Sequence, residues 1–249
     1  MKHCAPLILI FTLFLTYSCD FTFDENNTYS DVAEINIPVG NSLFGLTYDG
    51  EYLWYSDDSL GCLNKISASG EILKTIKLDD RYLTGIEFYE NHFWCLHDTT
   101  VFRDTTISHY PFSCVYKVTT NGKVVDSILI EASVNPIRPE LIGITFNKGK
   151  MYLSTYRGWS SSLLEVDIET GEDKFLQYHY LNGLASKGDT IYVIDKSYMN
   201  TCRIFPLDSA YILIQDRVIP LDFNTSDLAF VGEDIWVCDR EAGKLRRVN

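Results

Sequence analysis

The chain has 249 residues and is acidic, with 34 Asp and Glu against 21 Lys and Arg and a formal net charge of −13. Binding to nucleic-acid phosphates needs a basic face, so this balance argues against a nucleic-acid partner and against adsorption to anionic lipid. The length is ample for one domain with a substantial core.

The N-terminus has the pattern of a lipoprotein signal. Lys2 and His3 precede an apolar run over residues 5–16, too short for the roughly 20 residues of a membrane-spanning helix and typical of a secretory signal. The run ends in Leu-Thr-Tyr-Ser-Cys, which resembles a bacterial lipobox. We predict a signal peptide over residues 1–18, acylation of Cys19, for example by palmitate, and attachment to the bacterial outer membrane on its periplasmic or outer face. An ordinary cleaved signal with an incidental Cys19 is the alternative.

Residues 20–32 are polar and acidic. Such a composition is typical of a solvated tether, and we predict one between the acylated Cys19 and a folded domain over residues 33–249.

A unit of sequence recurs five times in that domain. Each copy alternates small and large residues as a half-buried strand does, turns, and reaches an aromatic residue nine positions after its start. The copies begin about 40 residues apart, with one longer interval. The starts are Gly45, Gly85, Gly143, Gly183 and Asp227, and the aromatic positions are Trp54, Trp94, Tyr152, Tyr192 and Trp236.

Each unit predicts four short strands, which is typical of a β-propeller blade. The fourth strand of the fourth unit is predicted over residues 212–219. The fifth unit ends after its third strand, and residues 33–38 are predicted to supply the fourth and close the ring. We therefore predict an all-β propeller of five four-stranded blades. The alternative has six, with a degenerate blade in residues 99–112 and 132–140; these residues lack the Gly start and the Trp, which favours loop insertions.

Five cysteines fall in the predicted domain, and most begin equivalent strands of different blades, where they would point apart. We predict buried thiols; only Cys95 and Cys114, on adjacent strands of one blade, are placed to be neighbours. The spacing of the cysteines matches no zinc site, and we predict neither a metal nor a cofactor.

Two rings of residues are predicted at the end of the channel where the first strands begin, since ligand sites in propellers usually open there. Asp57, Asp195 and Asp239 are predicted to cap turns by accepting backbone N–H bonds, with a carboxylate ring facing a cation or polyol as the alternative. The residues just before the starts are Phe44, Thr84, Ile142, Asn182 and Ser226, and those twelve after are Asp57, His97, Thr155, Asp195 and Asp239. Six of these are predicted ligand contacts: Phe44, Thr84, Ile142, Asn182, Asp195 and Asp239.

The segment Thr-Tyr-Arg-Gly-Trp at residues 155–159 is a turn with larger side chains than a turn needs. An exposed aromatic ring beside an Arg can stack on a sugar, a base or a peptide side chain. We predict that Tyr156, Arg157 and Trp159 contribute to the same ligand site.

Two propeller families resemble this pattern. Residues 180–195, YLNGLASKGDTIYVID, resemble a blade of the gluconolactonase and regucalcin type, in which Asn182 would be a metal ligand; the acids that accompany it there are absent. The Leu181-Asn182-Gly183 step, the blade number and the predicted export are similar to the five-bladed glutaminyl-peptide cyclotransferases. Where that family carries Gln and Gly-Glu-Gly, this chain has Phe44 and Thr84, and the nearest acid is Glu87.

The resemblance implies the fold, while the catalytic positions are not retained. We therefore interpret the chain as a lipid-anchored, non-catalytic module that binds a small molecule, glycan or peptide and contacts the membrane through its anchor only. The alternative is a cyclotransferase-like enzyme.

Overall fold

A computed structural model describes residues 28–78, 82–98, 113–130, 140–157, 160–198 and 201–248. At residues 98, 156–157, 160, 177–179, 197–198 and 201 only the backbone is described. The predicted signal peptide, Cys19 and most of the predicted tether lie outside these ranges.

The described strands form five antiparallel four-stranded sheets, arranged as a five-bladed β-propeller. The N-terminal strand is β1 (Glu34–Asn36). Blade 1 contains β2 (Leu43–Tyr48), β3 (Leu53–Asp57), β4 (Cys62–Ile66) and β5 (Ile72–Lys77). Blade 2 contains β6 (Leu83–Tyr89), β7 (His92–Asp98), β8 (Ser113–Thr119) and β9 (Val124–Ile130). Blade 3 contains β10 (Glu140–Asn147), β11 (Lys150–Arg157), β12 (Ser160–Val166) and β13 (Asp173–His179). Blade 4 contains β14 (Leu181–Lys187), β15 (Thr190–Tyr198), β16 (Thr201–Pro206) and β17 (Ile219–Leu221). Blade 5 contains β18 (Thr225–Val231), β19 (Asp234–Asp239) and β20 (Lys244–Val248).

The predicted closure by the N-terminal strand is confirmed. β1 pairs antiparallel with β20, with Ile35 opposite Leu245. Ile35 is buried in the cluster between blades 5 and 1, and Lys244 Nζ lies 2.6 Å from Glu34 Oε1. The first and last parts of the chain therefore share one sheet.

The predicted boundary of the tether is wrong, because the fold begins before residue 33. Tyr29 lies in a short 3-10 turn (Tyr29–Asp31) and is 4% exposed. Its hydroxyl donates to the carbonyl oxygen of Ile66 and accepts from the N–H of Leu53 at 3.0 Å. Its ring packs edge-on against Trp236, with centroids 6.0 Å apart. A polar, acidic segment thus contains one anchoring aromatic residue.

Two of the tryptophans nine positions after the starts, Trp54 and Trp236, pack between blades. The ring of Trp54 lies 4.6 Å from that of Phe93 on the next blade, and both belong to the core cluster between blades 1 and 2 together with Ile86. Trp236 is fully buried between blades 5 and 1. These side chains form the core and are not available to a ligand.

The predicted fourth strand of blade 4 is misplaced. Within residues 212–219, Leu213 forms only an isolated bridge to Leu207, and Gln215–Arg217 is a 3-10 turn. Tyr211 closes the preceding turn with a φ of 63°, the left-handed region. The chain therefore leaves the sheet before it returns as β17.

Candidate functional site at the axial mouth

The first strands of the five blades contact one another in a closed ring around the axis. The four start glycines lie against the backbone of the next blade: a Cβ added at Gly45 would lie 2.5 Å from the carbonyl oxygen of Thr84, and one at Gly143 would lie 2.7 Å from that of Asn182. Such contacts leave room for glycine only. We call the end of the ring at which β2, β6, β10, β14 and β18 begin the axial mouth.

Polar side chains just before the starts link neighbouring blades. The Thr84 hydroxyl donates to the carbonyl oxygen of Leu141 at 2.9 Å, and the Asn182 amide donates to that of Thr225 at 3.0 Å. Ser226 donates to the carbonyl oxygen of Phe44. Thr84 and Asn182 are predicted ligand contacts, but these donor groups are engaged within the fold.

Only two members of this ring keep exposed surface at the mouth. Phe44 and Asn182 are partly exposed, while Thr84, Ile142 and Ser226 are buried. Of the predicted contacts in this ring, Phe44 is therefore the apolar surface that a ligand can reach.

Two of the three aspartates twelve positions after the starts, Asp57 and Asp239, accept turn N–H groups. Asp57 accepts the N–H groups of Ser59 and Leu60, each at 3.0 Å. Asp239 accepts the N–H of Ala242 at 3.0 Å and pairs with Arg246 at 2.8 Å. Both oxygens of Asp239, a predicted ligand contact, are thus engaged within blade 5. Asp195 is buried at the same end of blade 4.

The residue after each of these positions forms a further ring at the mouth. In every blade, the residue twelve positions after the start pairs with the residue two positions before the start. Examples are Leu43 with Asp57 in blade 1 and Thr225 with Asp239 in blade 5. The next residues therefore stand at equivalent positions at or just beyond the end of the second strand in each blade. This outer ring consists of Asp58, Asp98, Tyr156, Lys196 and Arg240.

Arg240 is held in place by contacts with blade 1. Its guanidinium carbon lies 4.6 Å from the centroid of the Phe44 ring, and its Nη2 lies 3.0 Å from Asp58 Oδ2. Tyr82 donates to the same oxygen at 3.0 Å. The Asp58 side chain is 4% exposed and that of Arg240 is 41% exposed, so a buried carboxylate orients a guanidinium that still faces solvent. Asp58 Oδ1 is buried and has no hydrogen-bond partner within the described part of the chain.

Two acids lie inside the ring. Thr47 and Thr145, on the blades flanking blade 2, donate to the Glu87 carboxylate at 3.1 and 3.2 Å. Burial raises the pKa of Glu87 to about 8, against the lowering effect of the two hydroxyls. Glu87 is therefore largely protonated at neutral pH.

Asp227 is the second of these acids and stands where the other blades carry glycine. Its Oδ2 accepts the N–H of Leu46 at 3.0 Å. Burial, with a contribution from Glu87, raises the pKa of Asp227 well above its usual range. The departure from glycine at the fifth start was the visible signal in the sequence for this residue.

The predicted cluster at residues 156–159 stays a prediction. β11 ends at Arg157, so the backbone of Tyr156 and Arg157 reaches the axial mouth. Their side chains, and all of Trp159, lie outside the described residues.

The remaining predictions concern thiols, metals and the membrane. Within the described residues, the cysteines at positions 62, 95, 114, 202 and 238 form no disulfide, and Cys95 lies opposite Tyr116, not Cys114. Across the described ranges, no group of three His, Cys, Asp or Glu is arranged to hold a metal ion. In that same portion, no helix has the length and apolar character to span a membrane.

Comparison with solved structures supports the fold. Glutaminyl cyclase from Myxococcus xanthus matches with a TM-score of 0.60, at 11% identity over 88% of this chain and 94% of that chain. Virginiamycin B lyase from Staphylococcus aureus matches with a TM-score of 0.50, at 17% identity over 90% of this chain and 72% of that one. A chain of a nidogen/laminin complex matches with a TM-score of 0.53, at 15% identity over 80% and 72%. No family model and no curated protein sequence matches. Such low identities show the shared fold alone.

Proposed function

We propose that this chain is a non-catalytic binding module of the bacterial cell envelope, anchored through Cys19, whose ligand binds at the axial mouth. The observation that carries the proposal is the placement of Arg240 on Phe44 and Asp58. A guanidinium fixed by a buried carboxylate and an aromatic face loses little conformational freedom when it binds a ligand. The ligand class is a small molecule, a glycan or a peptide.

A purely structural role for Arg240 would also link blades 5 and 1. Blades 5 and 1 are already linked by two other contacts, the hydrogen bond from Ser226 to the carbonyl oxygen of Phe44 and that from the N–H of Leu46 to Asp227. Arg240 adds to them while leaving 41% of its side chain in solvent. Exposed donors on a rigid base are typical of a recognition residue.

The fold itself does not decide between binding and catalysis. It occurs in glutaminyl cyclase, in virginiamycin B lyase and in a chain of a nidogen/laminin complex. Function therefore has to be argued from the site. Lipid anchoring is supported by the lipobox-like residues 15–19.

The test is a ligand screen with the full-length chain in mild detergent. Small molecules, glycans and peptides are screened by thermal shift, and hits are measured by calorimetry. We expect Arg240→Gln and Phe44→Leu to weaken a true hit by about 1–3 kcal/mol. Arg217→Gln is the matched control, because Arg217 is exposed on the 3-10 turn of blade 4, away from the mouth. A hit that both mouth variants bind as tightly as the parent chain would contradict the proposal.

The second candidate is a cyclotransferase-like enzyme, and one observation favours it. Glu87 lies inside the ring with a pKa of about 8, which suits a group that gives and takes a proton near neutral pH. The chain would then release ammonia from a peptide that begins with Gln, as mass spectrometry would detect. Turnover that Glu87→Gln abolishes would establish the enzyme; turnover that survives it would assign the proton transfer to another residue.

A further inference from the structure

The turns that follow the third strands of blades 1, 2 and 4 are built alike. In each, the N–H of the first residue donates to the carbonyl oxygen of the fifth, and the N–H of the fourth donates to that of the first. The first residues are Ser67, Thr119 and Asp208, and the fourth residues are Gly70, Gly122 and Tyr211. The φ of the fourth residue is 88°, 85° and 63°, in the left-handed region. Tyr211 therefore stands where two other blades carry glycine.

The conformation of Tyr211 is strained. A bulky side chain in the left-handed region crowds the backbone, a cost that glycine avoids. Such strain concentrates at functional sites, where the surrounding structure enforces it. The Tyr211 hydroxyl lies 3.2 Å from that of Tyr152 and 3.3 Å from Glu165 Oε2, and the two tyrosine rings have centroids 5.8 Å apart. The strained turn thus holds an oriented aromatic ring at the junction of blades 3 and 4.

Tyr211 lines a cleft of about 410 Å³ between these blades, a volume typical of small-ligand sites. Ile191, Leu207 and Ile214 of blade 4 supply its apolar lining. A side chain kept only to fill space would leave no cleft beside it, because protein interiors are close-packed. The site lies at the end of the propeller opposite the axial mouth, where first and second strands are joined. We call it the blade 3–4 cleft.

The rim of the blade 3–4 cleft carries both signs of charge. Lys148 Nζ lies 3.4 Å from Asp189 Oδ2, with side chains 63% and 82% exposed, and Asp208 adds a second carboxylate. The Asn147 amide donates to the carbonyl oxygen of Gly188 at 3.0 Å, which links the two hairpins. An anion would meet two carboxylates and a cation would meet an ammonium, whereas a hydroxyl both donates and accepts. The rim therefore favours a neutral ligand with several hydroxyl groups.

We propose that the blade 3–4 cleft binds a neutral sugar in its pyranose ring form. One face of such a ring presents C–H groups, and its edge carries hydroxyls. The C–H face packs on the Tyr211 ring and the apolar lining, and the hydroxyls bind Asp189 and Lys148. This site is separate from the axial mouth, and the inference does not rest on the function proposed for the mouth.

The test titrates the full-length chain, in a detergent without a sugar headgroup, with the methyl glycosides of glucose, galactose, mannose and N-acetylglucosamine. Sorbitol, which has hydroxyls and no ring, and tetrahydropyran, which has the ring and no hydroxyls, are the controls. Binding is followed by NMR of backbone amides. We expect at least one glycoside to shift the amides around Thr190 and Tyr211, and to bind roughly tenfold or more tightly than either control, since the cleft contacts both the ring and its hydroxyls.

Tyr211→Gly removes the aromatic wall, and the turn should persist because blades 1 and 2 form it with glycine. This variant should weaken the glycoside roughly tenfold or more, as loss of an aromatic anchor does. Tyr211→Phe keeps the ring and should bind within about twofold of the parent chain. Tyr180→Ala, which removes a tyrosine that is 50% exposed elsewhere, is the matched control and should bind as the parent does.

Asp189→Ala keeps the inference testable if Tyr211→Gly does not fold. Its side chain is 82% exposed, so the exposed pair with Lys148 contributes little to stability. Loss of a charged hydrogen-bond acceptor should weaken the glycoside roughly tenfold.

Three outcomes would overturn the inference. The first is that none of the four glycosides binds, and the second is that sorbitol or tetrahydropyran binds as tightly as they do. The third is a glycoside that Arg240→Gln weakens and the Tyr211 and Asp189 variants do not, which would place the sugar at the axial mouth and support the function proposed there. Ligands that Tyr211→Gly weakens belong to the blade 3–4 cleft, so the axial mouth is tested with the other hits of the screen.

Discussion

Tyr29→Ala should destabilise the propeller by about 3–5 kcal/mol, the range for removing a buried aromatic side chain. The residue is 4% exposed and packs in the cluster shared by blades 5 and 1. The loss would be a large part of the roughly 5–15 kcal/mol that holds a typical domain together.

Tyr29→Phe separates the hydroxyl from the ring. It removes both hydrogen bonds of the hydroxyl and leaves the N–H of Leu53 and the carbonyl of Ile66 without this partner. Unsatisfied buried groups cost about 1–3 kcal/mol, so the Phe variant should fall between the parent and the Ala variant.

The free energy of unfolding is measured by guanidinium denaturation, followed by tryptophan fluorescence. Tyr180→Ala is the control, because Tyr180 is 50% exposed and should cost less than about 0.5 kcal/mol. If Tyr29→Ala were as stable as Tyr180→Ala, the segment before residue 33 would be a tether after all.

Three further predictions concern the axis and the anchor. Burial holds the pKa of Glu87 near 8 in the folded chain, against 4.5 in the unfolded chain. The contribution of Glu87 to the free energy of unfolding is therefore complete below pH 4.5 and is lost as the pH rises to 8. Glu87→Gln should flatten this fall of the unfolding free energy with pH. Gly85→Ala would place a Cβ 2.4 Å from the carbonyl oxygen of Ile142 and should lower the free energy of unfolding by more than about 3 kcal/mol. Gly149→Ala is the control: no atom lies within 4 Å, but the φ of 75° should lower it by about 1 kcal/mol. Equal melting temperatures of the two variants would refute the close packing of the inner strands. Cys19→Ala should release the chain from membranes and abolish acylation, and unchanged retention in the membrane fraction would place the attachment elsewhere.

The architecture could be predicted because it repeats. The start residue of the inner strand and the aromatic residue nine positions later recur at one spacing in five units, so five weak signals reinforce each other. Because the fifth unit lacks a fourth strand, the sequence also indicates that the N-terminal strand closes the ring. Trp54 and Trp236 stand at that spacing, and both are buried in the core.

The contacts between blades could not be predicted from the repeat. The hydrogen bonds from Thr84 to Leu141 and from Asn182 to Thr225 join residues about 40 to 60 positions apart. In the sequence, a polar residue at the axial mouth that contacts a ligand cannot be told from one that contacts the next blade. Tyr29 was missed because one buried ring does not alter the composition of a polar segment. The contact of Arg240 with Phe44 and Asp58 joins blades 5 and 1, which the repeat alone does not bring together.

The most direct test of binding at the axial mouth is to map where a ligand found in the screen binds, by NMR of the full-length chain labelled at backbone amides. The account predicts that the amide shifts on titration concentrate around Phe44, Asp58 and Arg240, and are lost when the Arg240→Gln variant is titrated. Shifts confined to the opposite end of the ring, at the turns around Gly50, Gly149 and Gly188 that join first and second strands, would contradict it.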